Sequence, residues 1–265
     1  MNLIKSTGKI LKGAFLFVLI ANVSAYASID SMGDAVNKAG QQRMITQRML
    51  KDYTLIGMNN TFGNPKEDLP KMISLFDTNL NNLKAFISDK PSIESLNDVA
   101  SLWKPVKKVL QETPAEDNVV ALQKSLETLL KAAHKSTGLI AKASGSAAGE
   151  IVNTSGRQRM LSQRMASLYM LKVWGIIDPE FEAKLATAIK EFDTAHKMLL
   201  TSDLNTDEIN TLLTKVGKTF LFFKMMGQTK SKNFAPSLIN RSANDILKNM
   251  NTVTELYSAK VTNNK

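Results

Sequence analysis

The chain repeats itself, and that repeat restricts its fold more than any other feature. Residues 39–53 read AGQQRMITQRMLKDY and residues 155–169 read SGRQRMLSQRMASLY, identical at eight of fifteen positions. Arg43 and Arg48 thus recur as Arg159 and Arg164, 116 residues later. At the same offset Val36-Asn37 falls on Val152-Asn153, and Phe76-Asp77-Thr78 on Phe192-Asp193-Thr194. With a one-residue slip, Leu130-Lys131 falls on Leu247-Lys248. Chance does not hold one offset over so many positions. The expected organisation is an N-terminal segment 1–27 and two copies of one unit, 28–145 and 146–265.

Within each unit apolar residues recur every three or four positions, and strand-like alternation is hard to find, which argues for helices almost throughout. The periodicity predicts helices over about 31–60, 66–88, 92–112 and 116–142, then 150–177, 179–202, 206–232 and 237–261. Asn64-Pro65-Lys66-Glu67, Thr113-Pro114-Ala115-Glu116 and Asp178-Pro179 read as helix starts, with a capping side chain before a first-turn proline. Pro105 is expected to kink or break the third helix. Four helices with short loops make an up-down-up-down bundle. The expected fold is therefore all-α: two tandem up-down four-helix bundles related by a pseudo-two-fold axis. If the chain turns at Gly145-Ser146-Ala147-Ala148-Gly149, the first helices of the two units run parallel and their arginine lines face each other. If that stretch stays helical, the bundles stack end to end instead. Two glycines in five residues lower helix stability by roughly 2 kcal/mol, which favours the turn.

Residues 1–27 read as a cleaved signal peptide. Lys5, Lys9 and Lys12 form a positive start, AFLFVLIANV a short apolar core, and Ala25-Tyr26-Ala27 a cleavage site. An apolar run of about ten residues falls short of the roughly 20 that span a bilayer; an uncleaved anchor is the other possibility. Cleavage removes three of the ten net positive charges of the full chain. The expected location is the periplasm, where a basic surface suits small anions or an acidic partner better than nucleic acid. Without cysteine there is neither a disulfide framework nor thiolate chemistry. His134 and His196 do not fall on each other in the repeat, which excludes a symmetric two-histidine metal site. No nucleophile–base order, phosphate loop or carboxylate pair is evident, so neither catalysis nor a cofactor is expected.

On a helical wheel Ile45, Met49, Tyr53 and Ile56 share one face, the one expected to pack on the unit's own core. Gly40, Arg43, Met44 and Gln47 form a second stripe, repeated as Gly156, Arg159, Met160 and Gln163. Glycine on a stripe lets another helix come close, while Arg and Gln bring donors to the contact. That stripe is the expected inter-unit surface. Arg48 and Arg164 lie about 140° round the helix from the first arginines and are read as structural, paired with Asp77 and Asp193. Two opposed guanidiniums repel unless an anion lies between them, and a planar oxyanion offers acceptors to both. Gln47 and Gln163 would add amide donors. From the residues alone, a packing motif with solvated arginines remains an equal alternative.

Gly40-x-x-Arg43-Met44-x-x-Gln47-Arg48 and Gly156-x-x-Arg159-Met160-x-x-Gln163-Arg164 resemble the signature of the PilJ-type sensor domain. That is the type IV pili methyl-accepting chemotaxis transducer N-terminal family, present here as two tandem copies. They also resemble the periplasmic P-box of nitrate/nitrite sensor kinases. The resemblance implies four-helix-bundle sensor domains. It also implies, from the nitrate-sensing members, that the first arginine of each copy, Arg43 and Arg159, clasps one nitrate; the expected site holds nitrate or nitrite there, with Gly40, Gly156, Gln47 and Gln163 beside it. The tandem arrangement would then be a covalent pseudo-dimer, able to pair as a homodimer, whose closed form a membrane receptor or sensor kinase reads. The alternative is a ligand-free helical adaptor that uses the Gly-Arg stripe to bind a chemoreceptor or sensor kinase ectodomain.

Overall fold

The computed structural model describes residues 28–145, 147–228 and 235–263, so the signal-peptide segment 1–27 lies outside the described residues. Eight helices make up the described fold: α1 (Met32–Gly57), α2 (Pro65–Phe86), α3 (Lys90–Leu110), α4 (Glu116–Ala143), α5 (Ala147–Val173), α6 (Glu180–Leu200), α7 (Asp207–Gln228) and α8 (Pro236–Asn263). In each unit the first helix packs on the second and fourth, and the third packs on the same two, closing a four-helix bundle. The most extensive packing of all joins α1 to α5 across the units. Both are therefore central helices, with one face in their own bundle and one on each other.

The turn between the units is real. Helix α4 ends at Ala143 and α5 begins at Ala147, with Gly145 at φ +67° between them, a left-handed conformation that L side chains disfavour. Lys51 of α1 reaches Gln163 of α5 while Arg43 reaches Asn153. Both helices thus advance in the same direction, and α1 and α5 are parallel.

The repeat is legible in the cores. Phe76 and Phe192 are fully buried at equivalent places, and each packs against an aromatic ring of the third helix, Trp103 or Phe220, at 4.2 Å between ring centres. Gln42 and Gln158 each donate to the backbone carbonyl of that phenylalanine at 3.1 Å. Tyr53 and Tyr169 accept from the backbone amides of Ala115 and Ala235, just ahead of α4 and α8. A phenolic oxygen from the first helix thereby supplies an acceptor where each fourth helix starts.

The break expected at Pro105 and the side-chain caps expected before α2 and α4 are not found. Helix α3 runs unbroken through Pro105, which is exposed and flanked by the buried Trp103 and Val106. Its ring lies on the solvent side, where water can take the freed carbonyl, while the buried face keeps the helix together. Helix α4 begins at Glu116 with Ala115 as its cap, so Thr113-Pro114 precede the helix, and Asn64 sits before α2 at φ +52° with no side-chain cap. At α6, Pro179 takes the cap position and Asp178 Oδ1 accepts from the Glu180 amide at 2.8 Å.

Candidate functional site

In the contact between α1 and α5 both first arginines are fully buried, at 0 % exposure. Arg43 Nη2 donates to the carbonyl of Asn153 at 3.2 Å, and Arg159 Nη2 donates to the carbonyl of Asn37 at 3.3 Å. Each guanidinium thus reaches over to the partner helix, and the exchange is reciprocal under the repeat. A Cβ built on Gly40 would lie 3.3 Å from both Arg43 Nη2 and Arg159 Nη2; on Gly156 it would lie 3.0 Å from Arg159 Nη2 and 3.6 Å from Arg43 Nη2. Mid-helix glycine costs about 1 kcal/mol relative to alanine. A methyl group at either glycine would crowd the guanidinium tips, which would have to shift by a few tenths of an ångström.

The outer nitrogens break the symmetry. Arg43 Nη1 lies 3.1 Å from His134 Nδ1, whereas Arg159 Nη1 donates to Asn251 Oδ1 at 3.2 Å. The Nε atoms of both arginines are buried without a hydrogen-bond partner, as are the Oδ1 atoms of Asn37 and Asn153. Among the described residues neither arginine has a carboxylate within ion-pair distance. Burial, then the charge of Arg159, pulls Arg43 down to about 9; burial pulls Arg159 to about 10, against the pull of Glu255. Both remain cations at neutral pH. Two positive charges with no paired carboxylate in one desolvated space are costly, and an anion is the direct remedy.

Gln47 and Gln163 do not join this pair. Gln47 Nε2 donates to Thr46 Oγ1, and Gln163 spans to α8, donating to the carbonyl of Ala243 and accepting from Lys51 Nζ at 3.0 Å. Lys51, which has no counterpart because Ser167 stands at the repeated position, draws Gln163 away. The second arginines are ion-paired, but with other carboxylates than expected. Arg48 is bidentate to Asp68 of α2, and Arg164 is bidentate to Glu127 of α4, across the unit boundary. Asp77 and Asp193 instead hold the third helix of their own unit. Asp77 accepts from Trp103 Nε1 and Lys107 Nζ, and Asp193 pairs with Lys224 and Lys197.

His134 is the residue that sequence reasoning passed over. The residue is exposed as a whole, but partial desolvation of the ring and the charges of Arg43 and Arg157 push the imidazole down to about 4, with Glu191 opposing. A neutral ring accepts from Arg43 at Nδ1; an imidazolium does not. The unfolded chain binds this proton near 6.5 and the folded chain only near 4. In that window the unfolded state holds more protons, so the contribution is present above it and is lost as pH falls. Replacing His134 with Asn, the residue repeated at Asn251, should flatten the stability profile there, as urea unfolding across the window will record. His196, by contrast, is a buried core residue stacked on Phe192 at 6.0 Å.

A protein-family model, PilJ, described as "Type IV pili methyl-accepting chemotaxis transducer N-term", matches residues 25–134 and 140–216. The chain belongs to the PilJ family. Each matched segment carries one copy of the arginine line. No curated protein and no solved structure matches the chain. PilJ membership gives the chain a sensing or signalling role. Among the described residues no helix is long and apolar enough to cross a membrane, and no cluster of three metal-ligating side chains is present.

Proposed function

We propose that this PilJ protein is an exported, periplasmic sensor that binds one small planar oxyanion, nitrate or nitrite, between Arg43 and Arg159, and that a membrane receptor or sensor kinase reads the bound form. The observation that carries this reading is the buried guanidinium pair, two cations with no carboxylate in ion-pair distance among the described residues and two Nε donors without a partner. Asn37 and Asn153 replace Gln47 and Gln163 in the proposed shell. Their backbone carbonyls already receive the arginines, and a half-turn of each side-chain amide would put a donor where the unpartnered Oδ1 now stands. The anion cancels the repulsion and tightens the α1–α5 contact, which gives the bound form a distinct inter-unit geometry. The adaptor alternative needs the Gly-Arg stripe as a docking face, but that stripe is buried within the chain.

Calorimetry with nitrate and with nitrite tests the reading. One anion per chain is expected, with the heat lost in both Arg43→Ala and Arg159→Ala. Two sites per chain, or an unchanged isotherm in either variant, sinks the shared site.

A further inference from the structure

A fully buried pair must be reached from somewhere, and the two sides of the unit boundary are not alike. A groove of about 460 Å³ opens between α4, α5 and α6, a volume in the range of small-ligand pockets. Ala183, Thr187 and Ala188 on α6 leave the space, over Leu130 and Met160. At the repeated positions on α2 stand Glu67, Lys71 and Met72, all longer, and Met72 is buried. The repeated positions on the other side thus carry larger side chains, Glu67 and Lys71 exposed and Met72 buried.

His134 also lines the groove, and its Nδ1 contacts Arg43 Nη1. One imidazole therefore stands between the groove and the guanidinium pair. Of the groove's charges, Glu127 pairs with Arg164, Glu191 with Arg157 and Glu180 with Lys184. Lys131, one helical turn from His134, has no carboxylate partner among the described residues. An unpaired ammonium at the mouth of a concave site raises the local concentration of small anions.

We propose that this groove is the entrance to the arginine pair, with Lys131 the first contact for an incoming anion and His134 the gate. When the His134 ring swings out, Arg43 Nη1 loses its acceptor and offers that donor to the guest. What travels the route, a small oxyanion, rests on the reading above; the route itself does not.

The test is water exchange of the arginine Nε–H protons, followed by NMR on the full chain labelled with nitrogen-15. In the wild type the Arg43 Nε–H should exchange faster than that of Arg159. His134→Ala should speed Arg43 by about tenfold, the effect of easing a local opening by one factor of ten in its equilibrium, and leave Arg159 unchanged. The triple variant Ala183→Glu, Thr187→Lys, Ala188→Met installs residues the fold already carries at the repeated positions. It should slow Arg43 to the level of Arg159. Equal exchange of the two arginines in the wild type overturns the route, and so does an Arg43 indifferent to both sets of substitutions. Nitrate added to the same samples separates the two ideas: signals that ignore nitrate while the exchange difference persists remove the oxyanion reading and leave the entrance standing.

Discussion

Lys51→Met is expected to destabilise the folded chain by about 3–5 kcal/mol at pH 8, the usual penalty for removing one partner of a buried ion pair. Lys51 is 1 % exposed, and its ammonium donates to Gln163 Oε1 at 3.0 Å and Asn244 Oδ1 at 3.1 Å while lying 3.7 Å from Asp52 Oδ1. One side chain of α1 therefore ties together α5, α8 and a buried carboxylate. Methionine fills much of the same volume but leaves two acceptors without their donor and the Asp52 carboxylate without its cation. The loss should shrink in mild acid. Burial, aided by the neighbouring Asp68, raises the Asp52 carboxyl, and Lys51 opposes that rise; without Lys51 it climbs further. A carboxyl whose folded value lies above its unfolded value takes up a proton on folding, so stability falls as pH rises through the interval and returns as pH falls. Urea unfolding of Lys51→Met at pH 5 and pH 8 checks both statements. A variant as stable as the wild type, or one that weakens further in acid, contradicts the cluster described here. Adding Asp52→Asn to Lys51→Met should recover part of the loss at pH 8, because no buried charge is then stranded.

The same cluster explains where sequence reading stopped. The architecture was legible because a duplication writes each core position twice: Phe76 with Phe192 and Tyr53 with Tyr169 occupy matching places and make matching bonds. The first arginines were legible for the same reason, since glycine and arginine three residues apart on one stripe anticipate close helix approach. Partners of the second arginines were not legible, because duplicated positions have drifted in charge. Asp68 is repeated as Lys184, and Glu127 as Asn244. Arg48 therefore finds its carboxylate within its own unit, whereas Arg164 must cross to the other. Lys51 against Ser167 diverts Gln163 in the same way, and symmetry then misassigns both glutamines. His134 was hidden by a slip: its counterpart Asn251 lies 117 residues on rather than 116. A polar pair at that register on the fourth helices was the available signal. Identical residues at a fixed offset predict geometry; unlike ones predict where the two halves have taken different work.

Nitrate at a hundred times its Kd is expected to stabilise the wild type by about 2.7 kcal/mol, which for a chain of this size is a rise in Tm of about 5–10 °C. Arg43→Met should abolish the shift, since one cation and its Nε donor are gone. Arg43→Lys is the sharper probe. It keeps the charge, so simple Coulomb attraction survives, but it loses the planar fork that meets an oxyanion with two bonds. Affinity should then drop by at least about tenfold, roughly 1.4 kcal/mol. Chloride at equal ionic strength should give the wild type much less of the shift, because a sphere cannot engage two forks edge-on. Protein concentration supplies the remaining discrimination. A site shared between two chains would make the shift grow with concentration through mass action. One built from α1 and α5 of a single chain keeps the shift constant, because duplication has already brought the second arginine to the first. Thermal scans over a hundredfold dilution decide this, and a shift that vanishes on dilution would place the anion between molecules instead of between Arg43 and Arg159.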